Sequence, residues 1–167
     1  MKKNIKIFIL LFCLVFSFPV MAQGTFLQKT AFYTPDDSAV TLKKFEGKAV
    51  VVFLWSENCP ICLLALQNLD KIYKKIMQNA VIIPLMTKEA NLTKARKIYT
   101  AHNIRYLPIY IDKKDVFALT AGMTAMPLVL MFDETGSEIF RKSGKIDWLL
   151  TKLLEKAKPE TRFSIGK

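Results

Sequence analysis

Apolar runs and helical repeats alternate along this chain. Residues 49–54 and 80–86 are continuous apolar runs rich in β-branched side chains, a pattern typical of strands buried on both faces of a partly parallel sheet. Between these runs, apolar residues recur at helical spacing at Leu63, Leu66, Leu69, Ile72 and Ile76. The pattern therefore predicts a strand–helix–strand unit at the centre of the chain.

Shorter elements precede and follow this unit. Residues 26–33 fit an edge strand, residues 35–38 a turn, and residues 40–42 a segment that can pair again. Downstream, Asn91 can cap a helix that runs to about His102.

The remaining pattern alternates short extended and short helical segments. Residues 108–111 are extended, and Asp112 opens a short helix through Leu119. Residues 128–132 and 138–140 flank the hairpin signal Asp-Glu-Thr-Gly. A closing amphipathic helix has its apolar positions at Ile146, Leu149, Leu150, Leu153 and Leu154. This order predicts an α/β domain of three layers, in which a central mixed sheet has helices on both faces.

The first 22 residues read as an export segment. Lys2, Lys3 and Lys6 form a basic head, residues 7–18 an apolar run, and residues 19–22 a small-residue exit. The apolar run is shorter than the roughly 20 residues of a membrane-spanning helix, so we expect a signal peptide cleaved after Ala22. The alternative is an uncleaved anchor that tethers the domain to the outer face of the inner membrane.

Both interpretations place one domain, over residues 23–158, outside the cytoplasm, followed by a loose tail over residues 159–167. A chain of 167 residues suits a single core. The formal net charge is +11, and three of the lysines lie in residues 1–22, so the rest carries +8. The basic residues are scattered without interleaved aromatic side chains, which argues against a nucleic-acid partner. A solvated surface explains them, and attraction to acidic proteins or an anionic membrane is the alternative.

The chain has three cysteines, and Cys13 lies in the export segment. Cys59 and Cys62 remain, too close together for a structural staple. They follow a predicted buried strand at the start of a predicted helix, where free N–H groups and the helix dipole lower the pKa of a thiol. Pro60 fits the first helical turn. We therefore expect Cys59 to be the nucleophile and Cys62 the resolving cysteine of thiol–disulfide exchange.

Metal binding is the rival interpretation of this pair. A structural zinc site needs four ligands, whereas the sequence offers one cysteine pair and a single histidine, His102. We therefore predict no zinc site. Capture of copper by the two cysteines with a methionine stays open.

A second signal is the proline that opens the strand at residues 128–132. Pro127 stands where an ordinary central strand does not tolerate proline. A plain trans proline at a strand edge is one explanation. A cis peptide bond after Met126 is the other, and it leaves the Met126 backbone able to pair with an extended substrate. Beside the cysteine motif we favour the cis form.

These residues together resemble the TlpA/ResA-like branch of the thioredoxin superfamily over nearly the whole mature chain. The matching positions are Leu42, Phe45, 47–48, 50–52, Trp55, 59–62, Pro108, Asp112, 126–127, 133–136, Gly144 and 147–148. The resemblance implies a thioredoxin fold, a cis Met126–Pro127 bond, periplasmic dithiol–disulfide exchange and no bound cofactor. It places Cys59, Cys62 and Pro127 in catalysis.

The resemblance also implies a partner surface and partners. Trp55, Pro60, Ile61 and Met126 would contact the substrate protein. The partners would be periplasmic disulfide or dithiol proteins and an upstream membrane electron donor, with the enzyme itself a monomer.

The sequence departs from the family at three positions. Phe53 stands where thioredoxin has a buried acid, Ala65 where some relatives have a glutamate, and Asn58 where a tryptophan usually precedes the first cysteine. Water, Glu57 or a group that the sequence does not reveal would then accept the proton of Cys62, and part of the apolar docking surface is absent.

The residues around the cysteines bear on the direction of electron flow. Ile61 provides neither charge nor a hydrogen-bond donor, and Glu57 would oppose a thiolate at Cys59. We therefore expect a moderately lowered thiol pKa and a reducing centre that donates electrons to copper-site or cytochrome c maturation proteins. The alternatives are a thiol oxidase or isomerase of the DsbA type, a copper-binding delivery protein, and a redox-inactive docking module.

Overall fold

The two central apolar runs form neighbouring strands of one sheet. The computed structural model describes residues 22–76 and 80–144, and within them the strands form a seven-stranded sheet. Its strands are β1 (Phe32–Tyr33), β2 (Ala39–Val40), β3 (Ala49–Trp55), β4 (Ala80–Met86), β5 (Tyr110–Ile111), β6 (Leu128–Phe132) and β7 (Glu138–Ser143). The α-helices are α1 (Ala22–Lys29), α2 (Pro60–Ile76), α3 (Leu92–Ala101) and α4 (Val116–Thr120), with 3₁₀ turns at Leu42–Phe45 and Lys113–Asp115.

The sheet is mixed, in the order β2-β1-β5-β4-β3-β6-β7. β3 pairs in parallel with β4 along its whole length, from Ala49 opposite Ala80 to Trp55 opposite Met86. β4 and β5 are also parallel, whereas β6 runs antiparallel to β3 and to β7. The predicted arrangement, parallel crossovers followed by an antiparallel hairpin, is confirmed.

Alternate residues of β3 enter two separate cores, because successive side chains of a strand point to opposite faces. Val51, Phe53 and Trp55 belong to the first core, which α2 and α3 cover. The second core contains Val50 and its alternate neighbours in β3 together with residues of α1 and α4. The sheet therefore lies between two helical layers, as the sequence predicted.

The predicted edge strand over residues 26–33 is wrong for most of its length. Residues 22–29 form α1, and only Phe32–Tyr33 is extended. The Leu27 side chain is 2% exposed and packs in the second core, so the helix is held by tertiary packing. The segment at 40–42 also differs, because Leu42 already begins a 3₁₀ turn.

The short helix predicted from Asp112 is divided into two parts. A 3₁₀ turn occupies Lys113–Asp115, and α4 follows it. The Asp112 carboxylate accepts hydrogen bonds from the backbone N–H groups of Phe117 and Ala118, at 2.8 and 2.9 Å, and so satisfies donors at the start of α4.

The export segment, the closing amphipathic helix and the C-terminal tail lie outside the described residues. None of the helices within residues 22–76 and 80–144 has the length and apolar character needed to cross a membrane.

Candidate active site

The two cysteines lie where β3 passes into α2. β3 ends at Trp55, and Pro60 is the first residue of α2, as the sequence predicted. The carbonyl oxygen of Cys59 accepts hydrogen bonds from the N–H groups of Cys62 and Leu63, at 2.9 and 3.1 Å. Cys59 is thus placed at the start of the helix, and its sulfur forms a disulfide with that of Cys62.

The two sulfurs differ in their surroundings. Cys59 is 7% exposed, whereas Cys62 is fully buried in the first core. The backbone N–H of Cys62 points at Cys59 Sγ over 3.2 Å. A helix N–H donated to this sulfur favours its thiolate form. The two cysteines therefore differ, because Cys59 is the more accessible and its sulfur receives the N–H of Cys62.

A groove of about 550 Å³ opens beside Cys59. It is lined by Ser56, Asn58, Cys59, Pro60, Lys88, Glu89 and Met126. The topology thus brings Met126, from the turn before β6, to the redox centre. The peptide bond between Met126 and Pro127 is cis.

The residues expected to contact a partner divide into two groups. Pro60 and Met126 line the groove, and Ile61, 37% exposed, stands beside Leu64, 59% exposed, on the same face of α2. Trp55 is different, because its side chain is completely buried in the first core and stacks obliquely near Tyr99, with 6.0 Å between ring centroids. The expectation that Trp55 contacts a partner is therefore corrected, since the residue instead packs within the core that contains Cys62.

Glu57 does not face Cys59 as an uncompensated charge. Its carboxylate lies 2.7 Å from the ammonium group of Lys94 in the first turn of α3, and Glu89 lies 3.4 Å from the same group. The hydrogen bond with Glu57 raises the pKa of Lys94. The sequence argument that Glu57 opposes a thiolate is weakened, because Lys94 offsets its charge.

Neither of two buried acids is placed to accept the proton of Cys62. Burial raises the pKa of Asp112, but its carboxylate binds the backbone of Phe117, which lies in the second core, across the sheet from Cys62. Asp70 lies eight residues after Cys62 in α2, which corresponds to about 12 Å along the helix axis. Its carboxylate accepts three backbone N–H groups of residues 105–107, at 2.7 to 3.1 Å.

The loop between β4 and α3 is a feature of the site that the sequence did not reveal. Lys88 and Glu89 are both left-handed, with φ of 55° and 59°. The Asp115 carboxylate accepts hydrogen bonds from the Thr87 hydroxyl at 2.7 Å and from the Lys88 N–H at 2.6 Å. The position of this loop could have indicated its role, because loops after the carboxyl ends of parallel strands meet at one edge of a sheet. This loop follows β4, and the redox motif follows the neighbouring parallel strand β3.

The described part of the chain contains no cluster of three or more His, Cys, Asp or Glu side chains that could hold a metal ion. His102 closes α3, and its carbonyl oxygen accepts a hydrogen bond from Gln67 at 3.2 Å.

Comparisons with known proteins extend over most of the chain. A sequence model of the Redoxin family matches residues 22–151. An uncharacterised protein of Haemophilus influenzae is 26% identical over 137 residues, which are 80% of this chain and 85% of that protein.

Among the solved structures similar to this one are those of two bacterial proteins. The exposed lipoprotein thioredoxin Etrx1 of Streptococcus pneumoniae is 22% identical, with a TM-score of 0.64, over 75% of this chain and 98% of that one. A secreted disulfide oxidoreductase of Mycobacterium tuberculosis is 15% identical, also with a TM-score of 0.64, over 77% and 96% of the respective chains. These likenesses show that the fold is the thioredoxin fold.

Proposed function

The chain belongs to the Redoxin family, and from this premise we propose that it reduces disulfides of partner proteins outside the cytoplasm. It is a thiol–disulfide oxidoreductase of the thioredoxin fold with a Cys59–Cys62 pair. The observation that carries the proposal is the unequal placement of the two sulfurs. Cys59 lines a groove at the start of α2, and Cys62 is buried behind it.

The roles follow from this placement. In the reduced enzyme, the Cys59 thiolate attacks one sulfur of a partner disulfide, and the other partner sulfur leaves and takes up a proton. Cys62 then loses its proton and attacks Cys59 Sγ. The enzyme disulfide forms, the second partner thiol is released, and two electrons have passed to the partner. The Cys62 N–H at 3.2 Å from Cys59 Sγ supports the thiolate in the first step.

The groove provides the contacts for the partner chain. We assign Pro127 a catalytic role because it directly follows Met126, which lines the groove beside Cys59, where an extended partner segment can pair with the Met126 backbone. Pro60 lines the same groove, and Ile61 adds exposed apolar surface next to it.

We propose a reductant because Ile61 gives Cys59 neither a charge nor a side-chain donor. Strong oxidants of this class owe their potential to a stabilised reduced form, and Ile61 provides no such stabilisation. The partners would be copper-site or cytochrome c maturation proteins, and a membrane electron donor would restore the dithiol. The enzyme would act as a monomer.

The proposed location is the periplasm. Residues 1–22 have the pattern of a signal peptide, with an uncleaved inner-membrane anchor as the alternative. Two similar structures belong to an exposed lipoprotein and a secreted protein, which supports export of this chain.

The redox potential tests the direction of electron flow. The purified protein is equilibrated in glutathione buffers of graded potential, and its dithiol fraction is measured by alkylation and mass spectrometry. We expect a value toward the thioredoxin end of the scale, about −270 mV. A value near −120 mV, typical of DsbA, would overturn the reductant role and favour a thiol oxidase.

Partner identity is tested with a trapping variant. Cys62→Ala should accumulate partners disulfide-linked to Cys59, identified by mass spectrometry after export in the native host. Cys59→Ala is the matched control, and equal capture by the two variants would contradict the assigned roles. Stoichiometric copper on the purified wild-type protein would instead favour a delivery function.

A further inference from the structure

We propose that Lys88 selects partner segments that carry an acidic residue next to the reacting cysteine. The inference rests on the proposed exchange at Cys59 and names a substrate class for it. Lys88 and Cys59 both line the groove. A side chain that shares a groove with the nucleophile contacts the residues that flank the partner's cysteine.

The loop that carries Lys88 is held in one conformation. Lys88 and Glu89 have φ of 55° and 59°, a region that side-chain-bearing residues occupy at a cost and that persists only where surrounding contacts enforce it. Asp115 enforces it here by accepting the Lys88 N–H at 2.6 Å. The backbone under the lysine is therefore fixed before a partner arrives.

Asp115 is itself part of a second constrained turn. Lys114 and Asp115 both have φ of 57°, and the Asp115 carboxylate also accepts the Thr87 hydroxyl at 2.7 Å. Two left-handed turns, one after β4 and one after β5, are thus joined by one carboxylate. Such preorganisation lowers the entropy lost when a partner binds.

The charges around the groove leave Lys88 available to a partner. Glu57 and Glu89 share the ammonium group of Lys94, at 2.7 and 3.4 Å. Lys88 is exposed, and among the described residues it forms no ion pair with a carboxylate. An incoming carboxylate would therefore meet an unpaired cation, whereas an incoming cation would find Glu89, the acid that lines the groove, already paired with Lys94.

The test compares two peptides of equal length that are identical except for aspartate or lysine beside a single cysteine, each supplied as a homodimeric disulfide. Their reduction by the dithiol enzyme is followed by peptide-thiol release. The neighbouring charge also changes the reactivity of the peptide disulfide itself. The readout is therefore the aspartate-to-lysine rate ratio of each variant divided by that of the wild type.

We expect Lys88→Glu to lower this ratio about fivefold, the size of one moderately exposed ion pair. Lys88→Gln removes the positive charge without reversing it, so the change in the logarithm of the ratio should be about half as large. Lys97→Glu is the matched control, since Lys97 is exposed on α3, outside the groove, and the substitution changes the net charge equally. Asp115→Asn, which loosens the loop, should also lower the ratio.

The outcomes separate the two proposals. An unchanged ratio in Lys88→Glu, or an equal fall in Lys97→Glu, would overturn the selection by Lys88 while leaving the exchange reaction intact. Failure of the wild-type dithiol to reduce either peptide or a small neutral disulfide would overturn the proposed function, and with it this inference. A fall in Lys88→Glu but not in Lys97→Glu would support both.

Discussion

Lys94 connects the start of α3 to the redox motif. Its ammonium group lies 2.7 Å from the Glu57 carboxylate, two residues before Cys59 in the chain. Because opposite charges compensate locally, the carboxylate that precedes the motif is part of an ion pair and not a lone charge. We therefore expect the reactivity of Cys59 to depend in part on Lys94, 35 positions downstream of it.

Removal of this ammonium group should make Cys59 less reactive. In Lys94→Met the Glu57 charge is uncompensated, so we expect the Cys59 thiol pKa to rise. Alkylation of the reduced protein at neutral pH should slow about two- to fivefold, the effect of a partly exposed ion pair. The measurement is the rate of iodoacetamide modification of Cys59 against pH, in a Cys62→Ala background.

Two controls bracket this prediction. Lys94→Arg keeps the charge and should keep the pH profile, whereas Lys97→Met removes a charge one turn away on α3 and should leave it unchanged. If the profile of Lys94→Met coincides with that of the parent, Lys94 has no electrostatic role at Cys59.

The sequence predicted the reactive cysteines but not the residues whose contacts surround them. A buried strand followed by C-x-x-C predicted the positions of Cys59 and Cys62 because the pattern is local. Lys94 and Asp115 were not predicted, because their contacts with Glu57 and Lys88 span 37 and 27 residues and depend on the fold. The left-handed Lys88 was also hidden, since lysine carries none of the positional signal that glycine does.

The bounds of elements with a clear local pattern, such as a continuous apolar run or a helix cap, were predicted most accurately. β4 and β6 have the predicted bounds, and α3 begins after the predicted cap, Asn91. α1 was mistaken for a strand because Phe26 and its neighbours favour extended structure locally. Burial of Leu27 against the second core decides for a helix instead.

The start of α3 depends on its cap. The Asn91 side-chain oxygen accepts hydrogen bonds from the N–H groups of Thr93 and Lys94, at 2.8 and 3.3 Å. We expect Asn91→Ala to lower the free energy of unfolding by about 1 kcal/mol, measured by urea denaturation of the oxidised protein. Asn91→Asp keeps an acceptor oxygen and should retain most of the stability. A midpoint unchanged in Asn91→Ala would show that the cap contributes nothing.

One buried acid, Asp112, should make a contribution to the stability of the whole molecule that declines as the pH rises past the acidic range. Burial raises the pKa of Asp112 above its usual 3.8. As the pH rises through that value, the unfolded chain releases the Asp112 proton while the folded protein still retains it. Release of protons on unfolding favours the unfolded state, so the contribution of Asp112 to stability is present at low pH and declines as the pH rises.

The comparison that isolates this effect is with Asp112→Asn. The amide offers one acceptor oxygen to two N–H donors, which lowers stability by an amount independent of pH. The stability of the wild type relative to this variant should fall as the pH is raised from about 3, measured by urea denaturation at each pH. A constant difference across the range would mean that Asp112 titrates normally in the folded protein.

The mixed sheet could be predicted from the order of the elements. Two crossovers through a helix join parallel strands, and a short turn joins an antiparallel pair. The strand order depends on contacts distant in sequence, such as that of Tyr33 with Ile111. No local pattern encodes that pairing.

The outer strands of the sheet have a consequence for solubility. One edge is β2, two residues long, and the other is β7, which carries Glu138, Arg141 and Lys142. Short or charged edge strands resist the addition of a strand from another molecule. In the proposed location the protein would coexist with unfolded, newly exported chains, and these edges would guard it against joining them in β-aggregates while its groove handles their cysteines.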